Sequence, residues 1–313
     1  MKLHGLHHVT AITARAPQNH DFYTRILGLR LVKKTVNQDD VSAYHLFYAD
    51  GAGNPGTDLT FFDWPAAPEQ RGTSSIARTG LRVSDEAVLG WWQDRFATHD
   101  VKHSGVVERD GRPVLDFEDS EGQRLSLVAD ARDDAFTPWD RSPVPHEHQI
   151  RGLGPVILSV PRAPRTDRVL RELLGMAVVR TYAQDGRPAQ VYQTGDEPGA
   201  AREIHLVEEA GTSMARQGAG GVHHLALRTT LADYDAWARR LADAGMPNSG
   251  PVNRFWFRSL YFREPNGILF ELATDEPGFA TDEPLESLGE SLSLPPFLEP
   301  RRHEIEAGLK PIA

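Results

Sequence analysis

The chain repeats itself, and this internal repeat constrains the fold more than any other feature of the sequence. The segment GLHHVTAITARAP at residues 5–17 is matched by GLGPVILSVPRAP at residues 152–164. At the same offset, Leu27-Gly28 is matched by Leu174-Gly175. The sequence therefore predicts two related domains, 1–150 and 151–274, followed by a C-terminal tail at 275–313. Two domains also agree with the usual size of about 150 residues per domain.

Each half of the chain divides again into two modules. The segment IARTGLRVS at residues 76–84 resembles VHHLALRTT at residues 222–230. Every module opens with a β-branched or apolar segment, continues with a helix-like stretch and closes with three strand-like runs. In the fourth module these runs are VNRFWF, SLYFRE and ILFELAT. We predict an α+β fold built from four βαβββ modules at 4–64, 74–130, 151–209 and 220–274.

Composition excludes several classes of function. With 34 basic and 44 acidic residues, the net charge of −10 argues against a nucleic-acid partner. No apolar run approaches the roughly 18 residues of a membrane span.

The absence of cysteine excludes disulfides, thiolate metal sites and a cysteine nucleophile. Any metal must therefore bind His, Asp, Glu or water. Because the N-terminus lacks the apolar core of a signal peptide, we expect a cytoplasmic protein.

Three residues form a candidate metal site. His8, His224 and Glu271 all lie in strand-like segments, and Glu271 interrupts the apolar run ILFELA. An unpaired buried carboxylate is unfavourable, and a metal would compensate its charge. Two imidazoles and one carboxylate are the facial triad of non-heme Fe(II) oxygenases, which leaves coordination positions open for substrate and O₂.

The repeat provides an internal control for this site. The counterparts of His7-His8 in module 3 are Gly154-Pro155, and those of His223-His224 in module 2 are Ala77-Arg78. The counterpart of Glu271 in module 2 is Ser126. All three candidate ligands are thus missing from the copies. We infer that modules 1 and 4 build one metal site and that modules 2 and 3 pair without one.

The four βαβββ modules, with HHVT in the first and VHH in the fourth, resemble the vicinal oxygen chelate superfamily. This superfamily contains glyoxalases, extradiol dioxygenases and antibiotic-resistance binding proteins, and its modules pair into cup-shaped sheets around a metal. The placement of the candidate ligands in modules 1 and 4, rather than in modules 3 and 4, resembles that of the hydroquinone ring-cleaving dioxygenases. The resemblance implies that His8, His224 and Glu271 hold Fe(II), with Mn(II) as the alternative. It also implies an aromatic diol and O₂ as substrates.

The same resemblance implies roles for five further residues. Arg254 would neutralise negative charge on the substrate or on bound oxygen, and Tyr261 would donate a hydrogen bond or a proton. Thr10, on the face of His8, would hydrogen-bond the substrate. His7 and His223 would act as acid–base or orienting groups. Strand alternation points these two side chains away from the metal face, so we do not expect them to be ligands.

Two other functions remain open at this stage. A glyoxalase-like metal-dependent isomerase or lyase typically needs a fourth ligand, an acid on the closing strand LTFFDW of module 1. We interpret Phe62 as the position opposite Glu271, with Asp63 facing the other way. A non-enzymatic binding member of the superfamily would be expected to lack the ligands. The sequence leaves open whether the chain forms a homo-oligomer and whether the tail covers the cup or makes a subunit contact.

Overall fold

A computed structural model describes residues 1–132 and 136–312 of the chain. Within these residues, sixteen strands form two eight-stranded sheets. The predicted four βαβββ modules and the two cup-shaped sheets are confirmed.

Modules 1 and 4 contribute the strands of the first sheet. Module 1 comprises β1 (Leu6–Thr13), α1 (Ala16–Asp21, extended by a π-helical turn at Phe22–Ile26), β2 (Arg30–Val36), β3 (Tyr44–Ala49) and β4 (Asp58–Asp63). Module 4 comprises β13 (Val222–Thr229), α4 (Leu231–Asp243), β14 (Val252–Asn253), β15 (Arg258–Arg263) and β16 (Leu269–Thr274). The order across this sheet is β14-β15-β16-β13-β1-β4-β3-β2.

Modules 2 and 3 contribute the strands of the second sheet. Module 2 comprises β5 (Ser75–Val83), α2 (Glu86–Thr98), β6 (His103–Arg109), β7 (Arg112–Glu118) and β8 (Arg124–Ala129). Module 3 comprises β9 (Leu153–Val160), α3 (Ala163–Arg168, extended by Val169–Leu173), β10 (Ala177–Gln184), β11 (Arg187–Gln193) and β12 (Glu203–Glu208). The order is β10-β11-β12-β9-β5-β8-β7-β6. Both sheets thus combine one module from each half, and the division at residue 150 stays a prediction.

The first strand of each module lies at the centre of its sheet. In the first sheet β1 pairs antiparallel with β13 and parallel with β4, and all eight of its residues are buried. The longer helices begin at side-chain caps, where Asp85 accepts a hydrogen bond from the N–H of Val88 and Thr230 accepts one from Asp233. The helices pack their apolar faces on the sheets, so the concave faces remain available for polar side chains.

One strand of module 4 differs from the sequence prediction. The run VNRFWF was expected to be a strand, but β14 ends at Asn253. The chain then forms a tight turn in which the N–H of Arg254 donates to the carbonyl oxygen of Phe257, with Phe255 at a φ of 74°. This left-handed residue is rare outside glycine and marks a sharp change of direction. Arg254 and Trp256, both in this turn, line a pocket of the first cup.

The tail packs along the β2 edge of the first sheet. Lys33 is fully buried on β2, and its Nζ donates to Oδ1 of Asp282 (2.8 Å) and to the carbonyl oxygen of Phe279 (3.1 Å). Asp282 also accepts a hydrogen bond of 2.8 Å from Nε1 of Trp256. The last helix, α5 (Arg302–Gly308), packs Ile305 against Val36 and Leu298. The tail therefore covers this edge of the first cup and contacts its wall.

Among the described residues, no helix combines the length and the apolar character that crossing a membrane requires.

Candidate active site

Adjacent strands bring the three candidate ligands together. In the pairing of β1 with β13, Thr10 lies opposite His224, and in the pairing of β13 with β16, Ala226 lies opposite Glu271. Because side chains alternate along a strand, His8, His224 and Glu271 all point into the first cup. Their exposed fractions are 2%, 3% and 1%. The structure therefore places these three residues in one buried cluster.

The distances in this cluster fit a metal ion. Oε2 of Glu271 lies 3.1 Å from Nε2 of His8 and 2.9 Å from Nε2 of His224. The two Nε2 atoms are 3.3 Å apart. Three donors on one face of an octahedral metal with bonds of about 2.1 Å are about 3.0 Å apart. Oε1 of Glu271 is buried and has no hydrogen-bond partner in the described residues. A cation bound there would satisfy this carboxylate.

The protonation states also suit ligation. Burial alone would raise the pKa of Glu271, but the charges and hydrogen bonds of His8 and His224 hold it well below its usual range. Burial lowers the pKa of His224 despite its hydrogen bond with Glu271. An ionised Glu271 carboxylate and a neutral His224 imidazole are the forms in which these two side chains bind a metal.

His7 and His223 contact the rear nitrogens of the two candidate imidazole ligands. Nδ1 of His7 lies 2.9 Å from Nδ1 of His8, and Nδ1 of His223 lies 2.8 Å from Nδ1 of His224. Burial lowers the pKa of both His7 and His223 to about 3, so both rings are neutral and can accept a hydrogen bond. When His8 and His224 donate through Nδ1–H, their Nε2 lone pairs face the site. This contact supports the predicted orienting role, and neither ring enters the cluster.

Tyr261 and Arg254 lie beside the candidate ligands. The Tyr261 ring stands edge-on to the His224 ring at 5.7 Å, and Nε of Arg254 is 3.3 Å from its hydroxyl oxygen. Burial raises the pKa of Tyr261, which keeps the phenol protonated and able to donate. Burial would lower the pKa of Arg254, but hydrogen bonds to Asp39 and Tyr261 hold it above its usual value. Asp39, which the sequence analysis missed, accepts from Arg254 at 2.8 Å.

A second missed residue, His45, lies in the same pocket on β3. Its Nε2 is 3.0 Å from Oγ1 of Thr60, which is 2.8 Å from Oγ1 of Thr10. Oγ1 of Thr10 is in turn 3.0 Å from Nε2 of His224. The signal that singled out His8, a histidine in a strand whose copy in module 3 lacks it, also holds for His45. Its counterpart in module 3 by strand register is Ala189.

The remaining pocket walls are mostly aromatic. The pocket that contains His8, His224 and Tyr261 is otherwise lined by these side chains: Asn37, Gln38, His45, Phe47, Phe62, Arg254, Trp256 and Phe257. Such walls suit a flat apolar ring, and the few polar groups can orient its substituents.

The interpretation of Phe62 as the position opposite Glu271 was wrong. Thr10 pairs with Thr60 where, in the related module, Ala226 pairs with Glu271, so Thr60 is the counterpart of Glu271. The two candidates share a face and are two residues apart, which alternation alone cannot separate. Phe62 instead packs on the rings of His45 and His223 at 4.4 and 5.5 Å. The fourth-ligand position therefore holds a neutral hydroxyl, not an acid.

The second cup contains an ion-pair network of its own. Asp110, Glu203 and His205 lie close enough to share a cation. However, Arg180 pairs with both carboxylates, and Arg112 donates to Glu203 at 2.7 and 2.9 Å. Burial would raise the pKa of Glu203, but His205 and the two arginines hold it well below its usual range. These carboxylates already have cationic partners, whereas the carboxylate of Glu271 has only imidazoles.

The chain belongs to the Glyoxalase/Bleomycin resistance protein/Dioxygenase superfamily, whose family model matches residues 5–127 and 152–272. It is 50% identical over 315 residues, covering all of both chains, to "Putative ring-cleaving dioxygenase MhqA" of Bacillus subtilis (strain 168). It is 32% identical to the chlorohydroquinone/hydroquinone 1,2-dioxygenase of Sphingobium indicum, over 97% of this chain and 95% of that one.

A solved structure supports the same conclusion. The crystal structure of a B. subtilis protein described as a dioxygenase superposes with a TM-score of 0.91 at 35% identity, covering 100% of this chain and 98% of that one. Together these full-length relatives show that the chain is an enzyme of the ring-cleaving dioxygenase kind.

Proposed function

We propose that this enzyme is an Fe(II)-dependent, extradiol-type dioxygenase that opens the ring of hydroquinone or a related aromatic diol. The proposed ligands are His8, His224 and Glu271. The observation that carries the proposal is their convergence at 2.9–3.3 Å beside a pocket whose fourth-ligand position is Thr60. Three ligands leave coordination positions open, as an oxygenase requires. The hydroquinone dioxygenase among the relatives supports the choice of substrate class.

Fe(II), when bound by these three side chains, supplies Lewis acidity and redox chemistry that the protein groups lack. Mn(II) accepts the same donors and is the alternative metal. The pocket side chains carry out the remaining tasks. Arg254 places a positive charge where an ionised diol hydroxyl needs compensation, and Tyr261 presents a protonated phenol as a donor. A hydrogen bond from Thr10 to the substrate stays a prediction, since Oγ1 of Thr10 is buried beside Thr60 and His224. The aromatic walls exclude water.

The alternatives have less support from the site. A glyoxalase-like isomerase needs a fourth acidic ligand, and the equivalent position is Thr60. A binding protein without catalysis would have no reason to keep a buried carboxylate with an unsatisfied oxygen, as Glu271 has. An acyclic or non-aromatic substrate would also leave the aromatic walls unexplained. A cytoplasmic location and a homo-oligomeric state stay predictions.

The proposal is tested by loading the protein with Fe(II) without oxygen and measuring O₂ uptake on hydroquinones and catechols. We expect uptake with hydroquinones and its loss in His224→Ala and Glu271→Ala. The matched control is His103→Ala, which removes a histidine of the second sheet and should keep full uptake. Uptake with catechols alone would refute the hydroquinone assignment. No uptake on any diol by protein with one iron per chain would refute the function, and hemithioacetals would be tested next.

A further inference from the structure

His45 is held rigidly inside the pocket by contacts that fix the plane of its ring. The imidazole contacts the rings of Phe47 and Phe62, with centroids at 4.0 and 4.4 Å. Its Nε2 is 3.0 Å from Oγ1 of Thr60. A side chain with two aromatic neighbours and one hydrogen bond has little rotamer freedom left, so its remaining nitrogen has a defined direction.

The remaining nitrogen, Nδ1, makes no hydrogen bond within residues 1–132 and 136–312. The side chain lines the same pocket as the proposed ligands His8 and His224. Burial lowers the pKa of His45 well below its usual value, so the ring is neutral. When Thr10 donates to the Nε2 lone pair of His224 and Thr60 donates to Thr10, Nε2–H of His45 donates to Thr60 and the lone pair lies on Nδ1. A polar atom without a hydrogen bond in a mostly aromatic pocket is suited to bind a polar group of the ligand.

His45 is also connected to the metal face by hydrogen bonds. This series of hydrogen bonds runs from Nε2 of His45 through Oγ1 of Thr60 to Oγ1 of Thr10. Oγ1 of Thr10 lies 3.0 Å from Nε2 of His224. Thr60 occupies the position that holds Glu271 in the related module. The fourth-ligand position thus holds Thr60, whose hydroxyl joins His45 to the ligand cluster.

Other polar groups of the pocket are less suited to this task. Arg254 is paired with Asp39 and contacts Tyr261. The side-chain amide of Gln38 donates to the carbonyl oxygen of Arg254 at 2.8 Å. Asn37 uses its oxygen to accept from the N–H of Asp39, but its amide nitrogen remains a competitor.

We infer that His45 binds the second hydroxyl of the aromatic diol, the one that is not at the metal, and so determines the preference for diols over simple phenols. Thr60 fixes the imidazole in the orientation that this contact requires. The inference rests on the proposed function for the identity of the ligand. It adds a specificity-determining residue that contacts the substrate inside the pocket.

The test compares the binding of hydroquinone and 4-methoxyphenol to the Fe(II)-loaded protein by calorimetry without oxygen. Methylation removes the O–H that would donate to His45. One hydrogen bond is worth about tenfold in affinity, so the wild type should prefer hydroquinone about tenfold. His45→Phe should reduce this preference to about twofold, the statistical factor for the two equivalent hydroxyls of hydroquinone. His103→Phe, on the second sheet, should keep the preference, and equal melting temperatures would show that all variants fold.

Two further variants separate this role from its competitors. Thr60→Val keeps the imidazole but frees it to rotate, so the preference should fall, whereas Thr60→Ser should keep it. The inference is overturned if His45→Phe retains the preference, if Asn37→Ala abolishes it while His45→Phe does not, or if the wild type shows none. Failure of the proposed function is a separate result, because absence of O₂ uptake with any diol leaves this binding comparison decisive.

Discussion

Replacing Lys33 with Met tests how the tail is attached to the first cup. The Lys33 side chain is fully buried, and its Nζ donates to Asp282, to the carboxylate of Glu283 and to the carbonyl oxygen of Phe279. Removing one partner of a buried ion pair leaves uncompensated charge and destabilises by about 3–5 kcal/mol. The two acidic side chains remain 18% and 12% exposed, and Asp282 keeps Trp256 as a donor. We therefore expect the free energy of unfolding to fall by about 3 kcal/mol, the lower end of this range.

Urea denaturation followed by tryptophan fluorescence measures this loss, since Nζ of Lys33 lies 5.1 Å from the centre of the Trp256 ring. Lys34→Met is the matched control, because the adjacent lysine only donates to an exposed carbonyl oxygen at 3.3 Å. We expect the control to change the free energy of unfolding by less than about 0.5 kcal/mol. If Lys33→Met lowers the free energy of unfolding by less than about 1 kcal/mol, or by no more than the control does, the buried charge of Lys33 does not attach the tail to the first cup.

Three other predictions address the site and the second sheet. His7→Ala should weaken metal binding by about 10–100-fold in a chelator competition, because His8 loses the group that orients it; unchanged affinity would contradict this role. Thr60→Glu should retain Fe(II) yet abolish O₂ uptake by supplying a fourth ligand, whereas full activity would show that this position does not reach the metal. Burial raises the pKa of Asp119 to about 6. Its folded form therefore holds a proton that the unfolded form releases, and the free energy of unfolding should fall by about 3 kcal/mol as pH rises from about 4 to about 6, relative to Asp119→Asn. Parallel pH profiles of the two proteins in urea would contradict that shift.

Much of the architecture could be predicted because the repeat carries it. Matching segments at 5–17 and 152–164 define the modules without any knowledge of their contacts. Modules 2 and 3 have other residues at the positions equivalent to His8, His224 and Glu271. This difference located the candidate site in modules 1 and 4. Residue identity at equivalent positions is visible in a sequence, so these inferences needed no three-dimensional information.

Register and turns could not be predicted in this way. Alternation assigns Thr60 and Phe62 to the same face, and only the backbone pairing of β1 with β4 shows which one matches Glu271. The sharp turn at Phe255 interrupts a run with strong strand propensity, so the turn was not apparent from the pattern.

Contacts between distant segments were also beyond the sequence. Asp39 binds Arg254 from the other end of the chain, and Lys33 holds the tail from inside the apolar strand LVKKTV. Nothing in the local pattern of either residue identifies its partner. Likewise, alternation placed His7 on the opposite face from His8, but not at hydrogen-bond distance from its Nδ1.

The central claim, that this enzyme opens an aromatic diol with both atoms of O₂, is tested most directly with isotopically labelled oxygen. Fe(II)-loaded protein is incubated with hydroquinone under labelled O₂, and the product is analysed by mass spectrometry. The account predicts a ring-opened product that carries two labelled oxygen atoms and does not form with Glu271→Ala. A product with an intact ring, or with one labelled atom or none, would contradict it.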